Sequence, residues 1–231
     1  MMRDFWPALG GGPARSPLRR ILIWISGASA GLGAALAATI PFEGAELVDI
    51  SRRGGVPGAQ HVAVDLADPE SWPVVEKDFR QRIEAEDPDL VVFIHTAGAQ
   101  TPAGPADLAD PAQYTRSVLL NSAAAQVLGH SFLGALSGSD CEQHLIMVSP
   151  GDAYRPQVGE STLGAGKAAI DQWVRSVGLE QQRRSPGCRV ISVAPGPLDR
   201  FESPDSVARA IWGLLEQELD SGTVLHLREV T

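Results

Sequence analysis

The chain has 231 residues, 44% of them hydrophobic and 20% charged, with a formal net charge of -9. That length describes one well-packed domain, and the acidic balance argues against non-specific nucleic-acid or anionic-membrane binding. Cys141 and Cys188 lack C-x-x-C spacing and the five histidines lack H-E-x-x-H spacing, so neither a disulfide framework nor a zinc site is expected. No apolar run approaches ~18 residues and no signal-peptide core is present, which makes the cytoplasm the expected compartment.

Residues 1–20 contain Gly10-Gly11-Gly12-Pro13 and Ser16-Pro17, breakers that describe a flexible tail, and Met1-Met2 leaves the start point open. Ile21 to Ile25 is a short apolar run, read as a buried strand, that leads into Ser26-Gly27-Ala28-Ser29-Ala30-Gly31-Leu32-Gly33. The alanine-rich segment after it, to Ile40, reads as a helix. Glycines between a strand and a helix let the backbone turn tightly and approach a ligand, and the unpaired N–H groups of the helix start suit a diphosphate. The spacing is G-x-x-x-G-x-G, and it assigns Gly27, Ser29, Ala30, Gly31, Leu32 and Gly33 to a dinucleotide. A second strand, Ala45 to Ile50, ends in Ser51-Arg52-Arg53, and a third, His61 to Val64, closes on Asp65-Leu66. A helix from Pro69 to about Glu86 has Pro at its start and acid in its first turn. Leu90 to Ile94 is an apolar strand that stops at His95-Thr96-Ala97-Gly98.

Val118, Asn121, Ala125, Leu128, Phe132 and Leu136 fall three or four apart and make one face of a helix from about Pro111 to Leu136. A strand from Leu145 to Ser149 is followed by a loop with Pro150, Gly151 and Pro156, then by a helix from about Ser161 to Arg184. Arg189 to Ala194 is a strand stopped by Pro195-Gly196-Pro197. Val207, Ile211 and Leu214 line a last helix, and Thr223 to Leu227 forms a last strand. Strands alternating with helices at crossover spacing predict an α/β fold, a doubly wound and mainly parallel sheet in a single domain over residues 21–231. Ligands of such sheets sit beyond the carboxyl ends of the strands, so the strand-end clusters converge on one cleft.

From Ile21 to about Leu227 the chain resembles the short-chain dehydrogenase/reductase family, whose sheet is Rossmann-like. Ser26-Gly27-x-x-x-Gly31-x-Gly33 matches the T-G-x-x-x-G-x-G turn, with Ser for Thr, and Asp65 matches the acidic residue set against the adenine. Ala97-Gly98 matches the second half of N-N-A-G, Asn121 the asparagine of the long fourth helix, Lys167 the lysine of Y-x-x-x-K, and Pro195-Gly196 the P-G pair after the sixth strand. The resemblance implies an NAD(P)-dependent oxidoreductase acting on a small carbonyl or alcohol. It also implies a dimer or tetramer built on the Asn121 and Lys167 helices, where Ala123, Ala124, Ala125, Ala168 and Ala169 permit close contact. An acidic residue ending the second strand would hold a ribose diol and repel a 2′-phosphate. Here Ser51, Arg52 and Arg53 offer a hydroxyl and guanidinium groups, which favours NADP over NAD. Asp49, two residues earlier, is the objection.

The pattern breaks where chemistry is expected. Four residues before Lys167 stands Leu163 in place of the tyrosine that gives the proton, and Pro150 stands in place of the serine. Ser149 lies next door, where a one-residue slip in the loop would put it in place, although neighbours on a strand point to opposite faces. His95 reads either as a substitute acid or as a strand-end histidine that bonds locally, and Tyr154 either as a phenol that swings inward or as a packed loop residue. Asn121 is either part of the site or a buried amide satisfied by backbone groups. Arg200 replaces the threonine after Pro195-Gly196, and Ser203-Pro204-Asp205 already opens the last helix, so the cleft is expected to be open. Gly164 and Gly166 inside a helix imply that a ligand or another helix comes close. Two functions follow: an atypical NADP(H)-dependent oxidoreductase using Lys167, Asn121 and Ser149 or Tyr154, or a coenzyme-binding sensor or partner subunit without turnover.

Overall fold

The computed structural model describes residues 19–149, 157–184, 187–195 and 203–227. Seven strands form one sheet in the order β3-β2-β1-β4-β5-β6-β7, and all six pairings are parallel. The strands are β1 (Ile21–Ser26), β2 (Glu46–Ser51), β3 (Gln60–Ala63), β4 (Leu90–His95), β5 (Glu142–Val148), β6 (Cys188–Ala194) and β7 (Val224–His226). The helices are α1 (Gly31–Ala38), α2 (Trp72–Glu86), α3 (Pro111–Val118), α4 (Ala124–Ala135), α5 (Ser161–Arg184) and α6 (Pro204–Gly213). The strand order reverses at β1, which lies between β2 and β4, and this is where a crevice opens above a doubly wound sheet.

Each central strand is apolar on both faces because helices cover both. Leu22 and Trp24 of β1 face the layer of α2, α4 and α5, whereas Ile21, Ile23 and Ile25 face α1 and α6. On the first face Trp24, Phe79, Phe93 and Phe132 meet ring to ring, with Trp24 and Phe79 centroids 5.2 Å apart, and the Trp24 indole N–H donates to Asp78 at 2.8 Å. On the second face the Trp212 indole N–H donates to the Leu36 carbonyl at 3.1 Å and ties α6 to α1. Such ring contacts add about 0.5–1.5 kcal/mol each beyond burial.

The long helical stretch differs from its expected form. A π turn over Leu119–Ala123 joins α3 to α4 and adds one residue to the helical repeat. Asn121, Ala125, Leu128, Phe132 and Leu136 are buried as expected, but before the turn the inward face moves by one position. Ser117 is therefore buried and Val118 is 43% exposed. Ala124 and Ala125 lie wholly inside the core, so they are unavailable for a subunit contact, while Ala168 and Ala169 are exposed. β5 begins three residues before Leu145, at Glu142, because Gln143 and His144 bond their polar ends to the Ser139 carbonyl and to Glu142.

Candidate functional site

A groove of about 630 Å³ lies beyond the carboxyl ends of β1 to β5, within the size range of small-molecule sites. Its floor is the turn between β1 and α1. Gly27 and Gly31 take φ of +78° and +55°, the left-handed region that a side chain disfavours. A Cβ on Gly33 would overlap the Gly27 carbonyl oxygen, so the helix approaches the strand this closely only through glycine. α1 starts at Gly31, preceded by Ala30 with no side-chain cap, and has no acid in its first turn, whereas α3 and α6 are capped by Asp110 and Ser203. Its first N–H groups are left to a ligand, and Gly27, Ser29, Ala30, Gly31, Leu32 and Gly33 all line the groove.

At the end formed by β2 and β3, Ser51, Arg52, Arg53, Asp65 and Leu66 line the groove. The Ser51 hydroxyl accepts the Gly54 N–H at 3.0 Å, which shapes the turn, and both guanidinium groups are exposed. Asp49 is 1% exposed and is not part of the lining, so its carboxylate is not offered to a ligand there. Asp65 accepts the Ala67 N–H at 3.1 Å and Arg116 Nη2 at 2.6 Å. Burial pushes the Asp65 carboxyl up, but the bonds from Arg116 and Ala67, with the charges of Arg116 and Arg52, hold it below the usual carboxylate range. Arg116, on α3, was not foreseen: its partner is 51 positions away, and no spacing pattern links them.

At the opposite end, β4 runs out through Thr96, Ala97 and Gly98, all in the lining. Thr96 donates through Oγ1 to the Ser26 carbonyl at 2.6 Å, and Ser26 Oγ lies 2.9 Å from His95 Nδ1. His95 is fully buried, and burial together with the Lys167 charge lowers it to about 3. It is neutral at ordinary pH, so it carries no imidazolium proton, and its Nδ1 bonds locally to Ser26.

The Asn121 amide is saturated. Its oxygen accepts the Ala99 N–H at 2.9 Å, and its nitrogen donates to the Ala99 carbonyl at 2.8 Å and to Ser117 Oγ at 3.0 Å. The side chain thus fixes the backbone beyond Gly98. Lys167 is 2% exposed and donates from Nζ to the Val148 carbonyl at 3.1 Å. Burial lowers its ammonium to about 8, with Asp171 one turn on opposing the shift. A Cβ on Gly98 would stand 3.2 Å from Asn121 Oδ1 and 3.7 Å from Lys167 Nζ, which puts these three residues together. Gly166 is explained by α5 lying against the Asn121 backbone, whereas Gly164 has open space beside it.

The remaining candidates are not brought to the groove. Val148 lines it but Ser149 does not: the Ser149 hydroxyl is fully buried, and among the described residues it has no partner. Leu163 is buried one turn before Lys167, and Pro195 is buried after β6. Pro150, Tyr154, Gly196 and Arg200 lie outside the described residues. No group of His, Cys, Asp or Glu among the described residues suits a metal ion, and no described helix is long and apolar enough to cross a membrane. A glycine cradle, an uncapped helix start and cations at one end fit a dinucleotide phosphate.

A family model for short chain dehydrogenase matches residues 22–205. Benzil reductase ((S)-benzoin forming) of Bacillus cereus is 24% identical over 244 residues, spanning 89% of this chain and 98% of that protein. The protein of the same description from Bacillus subtilis (strain 168) is 25% identical over 236 residues, spanning 89% and 97%. The ligand-free aldohexose dehydrogenase of Thermoplasma acidophilum has the same fold, with a TM-score of 0.77 at 19% identity over 91% of this chain and 93% of that one.

Proposed function

The chain belongs to the short-chain dehydrogenase family, and from that premise we propose that it is an NADP(H)-dependent oxidoreductase acting on a small carbonyl or alcohol. The coenzyme choice is carried by one observation: Arg52 and Arg53 are exposed in the groove while the nearby carboxylate, Asp49, is buried away from it. Guanidinium groups recognise a phosphate with two parallel N–H bonds, and the acid that lines this end, Asp65, is already paired with Arg116.

In this reading the glycine turn and the first N–H groups of α1 hold the diphosphate, Arg52 and Arg53 the 2′-phosphate, and Asp65 and Leu66 the adenosine side. Ala97, Gly98 and Lys167 border the reacting end. The bound nicotinamide supplies the hydride. Asn121 keeps the backbone after Gly98 in shape, so the reacting end stays open beside Lys167. The Bacillus relatives are named for reduction of benzil, which supports an aromatic diketone among the carbonyls to try. Oxidation of NADPH with a panel of ketones that includes benzil tests the reading: turnover is expected, and none at high enzyme concentration with coenzyme bound would contradict it.

A second reading is favoured by Leu163, which leaves the usual proton donor without a replacement on α5. It is a coenzyme-binding sensor or partner subunit without turnover, and its signature is a co-purifying protein released or recruited by NADPH. For either reading we propose a cytoplasmic homodimer or homotetramer, supported by the exposed Val127, Ala168, Ala169 and Leu179 on α4 and α5.

A further inference from the structure

We infer that the Lys167 ammonium itself gives the proton to the carbonyl oxygen, the task that a phenol one turn earlier would perform and that Leu163 has no group to perform. The inference rests on the oxidoreductase reading above. A carbonyl reduction needs a hydride on carbon and a proton on oxygen. Among the described residues, the polar hydrogens near the Gly98 and Val148 end of the groove belong chiefly to His95, Ser149, Asn121 and Lys167. His95 is neutral and bonded to Ser26, and Asn121 is saturated by Ala99 and Ser117. The Ser149 alcohol is sealed in the core, without a partner among the described residues.

Among the described residues, Lys167 carries the ionisable proton nearest this end of the groove. Among the described residues its one acceptor is the Val148 carbonyl, so the ammonium keeps further N–H bonds to offer. The missing side chain of Gly98 is the window between Nζ and the groove, since Gly98 is in the lining and its Cβ position is 3.7 Å from Nζ. The groups that face the ammonium are His95 from β4, the Asn121 amide from the π turn, the Val148 carbonyl from β5, and Asp171 from its own helix. Ser192 Oγ of β6 donates to Asp171 and holds that carboxylate in position. Burial brings the ammonium to about 8, close to working pH, where a general acid is most effective.

The step balances. The carbonyl carbon gains a C–H bond as the reduced coenzyme gives up its hydride, and the π pair moves to oxygen. That oxygen takes a proton from Nζ, leaving a neutral amine that water reprotonates.

Lys167→Arg keeps the charge but has no proton to release at neutral pH. It is expected to lower kcat about 100-fold or more, well beyond any change in the NADPH dissociation constant read by calorimetry. In the wild type, kcat/KM is expected to fall tenfold per pH unit above about 8, an inflection that the variant lacks. Lys167→Ala is expected to regain turnover with added ethylammonium. Should Lys167→Arg fail to fold, the ε-carbon resonance of Lys167 in the wild type reads the same group, and a midpoint near 8 is expected. Full kcat in Lys167→Arg, or a midpoint at the ordinary 10.5, overturns this inference alone. A wild type that binds NADPH and reduces no carbonyl overturns the preceding reading as well.

Discussion

The two ends of the groove are built on different physics. Where β1, β2 and β3 end, the lining works through backbone geometry and exposed charge: glycines in a tight turn, free helix N–H groups, and Arg52, Arg53 and the Arg116–Asp65 pair in contact with solvent. Where β4 and β5 end, the polar groups are almost fully buried. His95 is pushed to about 3, Lys167 to about 8, and His95 Nε2 and Ser149 Oγ have no partner among the described residues. In the proposed reading, the contrast makes holding a coenzyme and moving a proton separable properties of this fold. The first tolerates changes in side chains because backbone amides carry it. On the inference drawn above, the second depends on the state of one buried group, Lys167, so Leu163 in the tyrosine's place bears on the chemistry and not on the grip.

The largest effect should come from the floor of the gripping end. Gly33→Ala forces a Cβ into the Gly27 carbonyl, and overpacking of this kind costs about 1–3 kcal/mol. Because it also distorts the turn, NADPH affinity is expected to fall roughly 100-fold, equivalent to about 3 kcal/mol. Gly164→Ala, one turn before the proton site, is the counterpart: with open space beside it, alanine should gain about 0.5–1 kcal/mol. Equal effects of the two substitutions, read by calorimetry and thermal melting, would erase the contrast.

A smaller effect sharpens the buried end. Because the folded protein holds His95 neutral to about 3 while the unfolded chain protonates it near 6.5, acid favours unfolding. Stability from this residue is present above 6.5 and is lost as pH falls from 6.5 toward 3, at about 1.4 kcal/mol per pH unit. Lys167 acts in the alkaline range, where stability should rise between 8 and 10.5 as its buried charge is relieved. In urea titrations His95→Gln is expected to flatten the acid slope; an unchanged slope would mean that His95 is hydrated in solution.

Much of the gripping end was legible because its residues are neighbours in sequence. The turn from Gly27 to Gly33, the pair Arg52 and Arg53, and Asp65-Leu66 each follow directly from a strand end, so finding the strand found the lining. The helix over Ser161–Arg184 was likewise marked by the loop with Pro156 before it. What escaped depends on contacts between distant residues or on backbone events without a sequence mark. Arg116 meets Asp65 across 51 positions. The π turn at Leu119–Ala123 carries no breaker residue, yet it moves Val118 outward and Ser117 inward. Ser149, a candidate stand-in for the lost hydroxyl, is buried and absent from the lining to which Val148 belongs.

Titration calorimetry of the full chain with NADPH and with NADH tests the central claim most directly. The account expects saturable heat with both coenzymes and about 10-fold or tighter binding of NADPH, the worth of about one charge-assisted bond. Absence of heat with either coenzyme, in a sample that melts cooperatively, would contradict it.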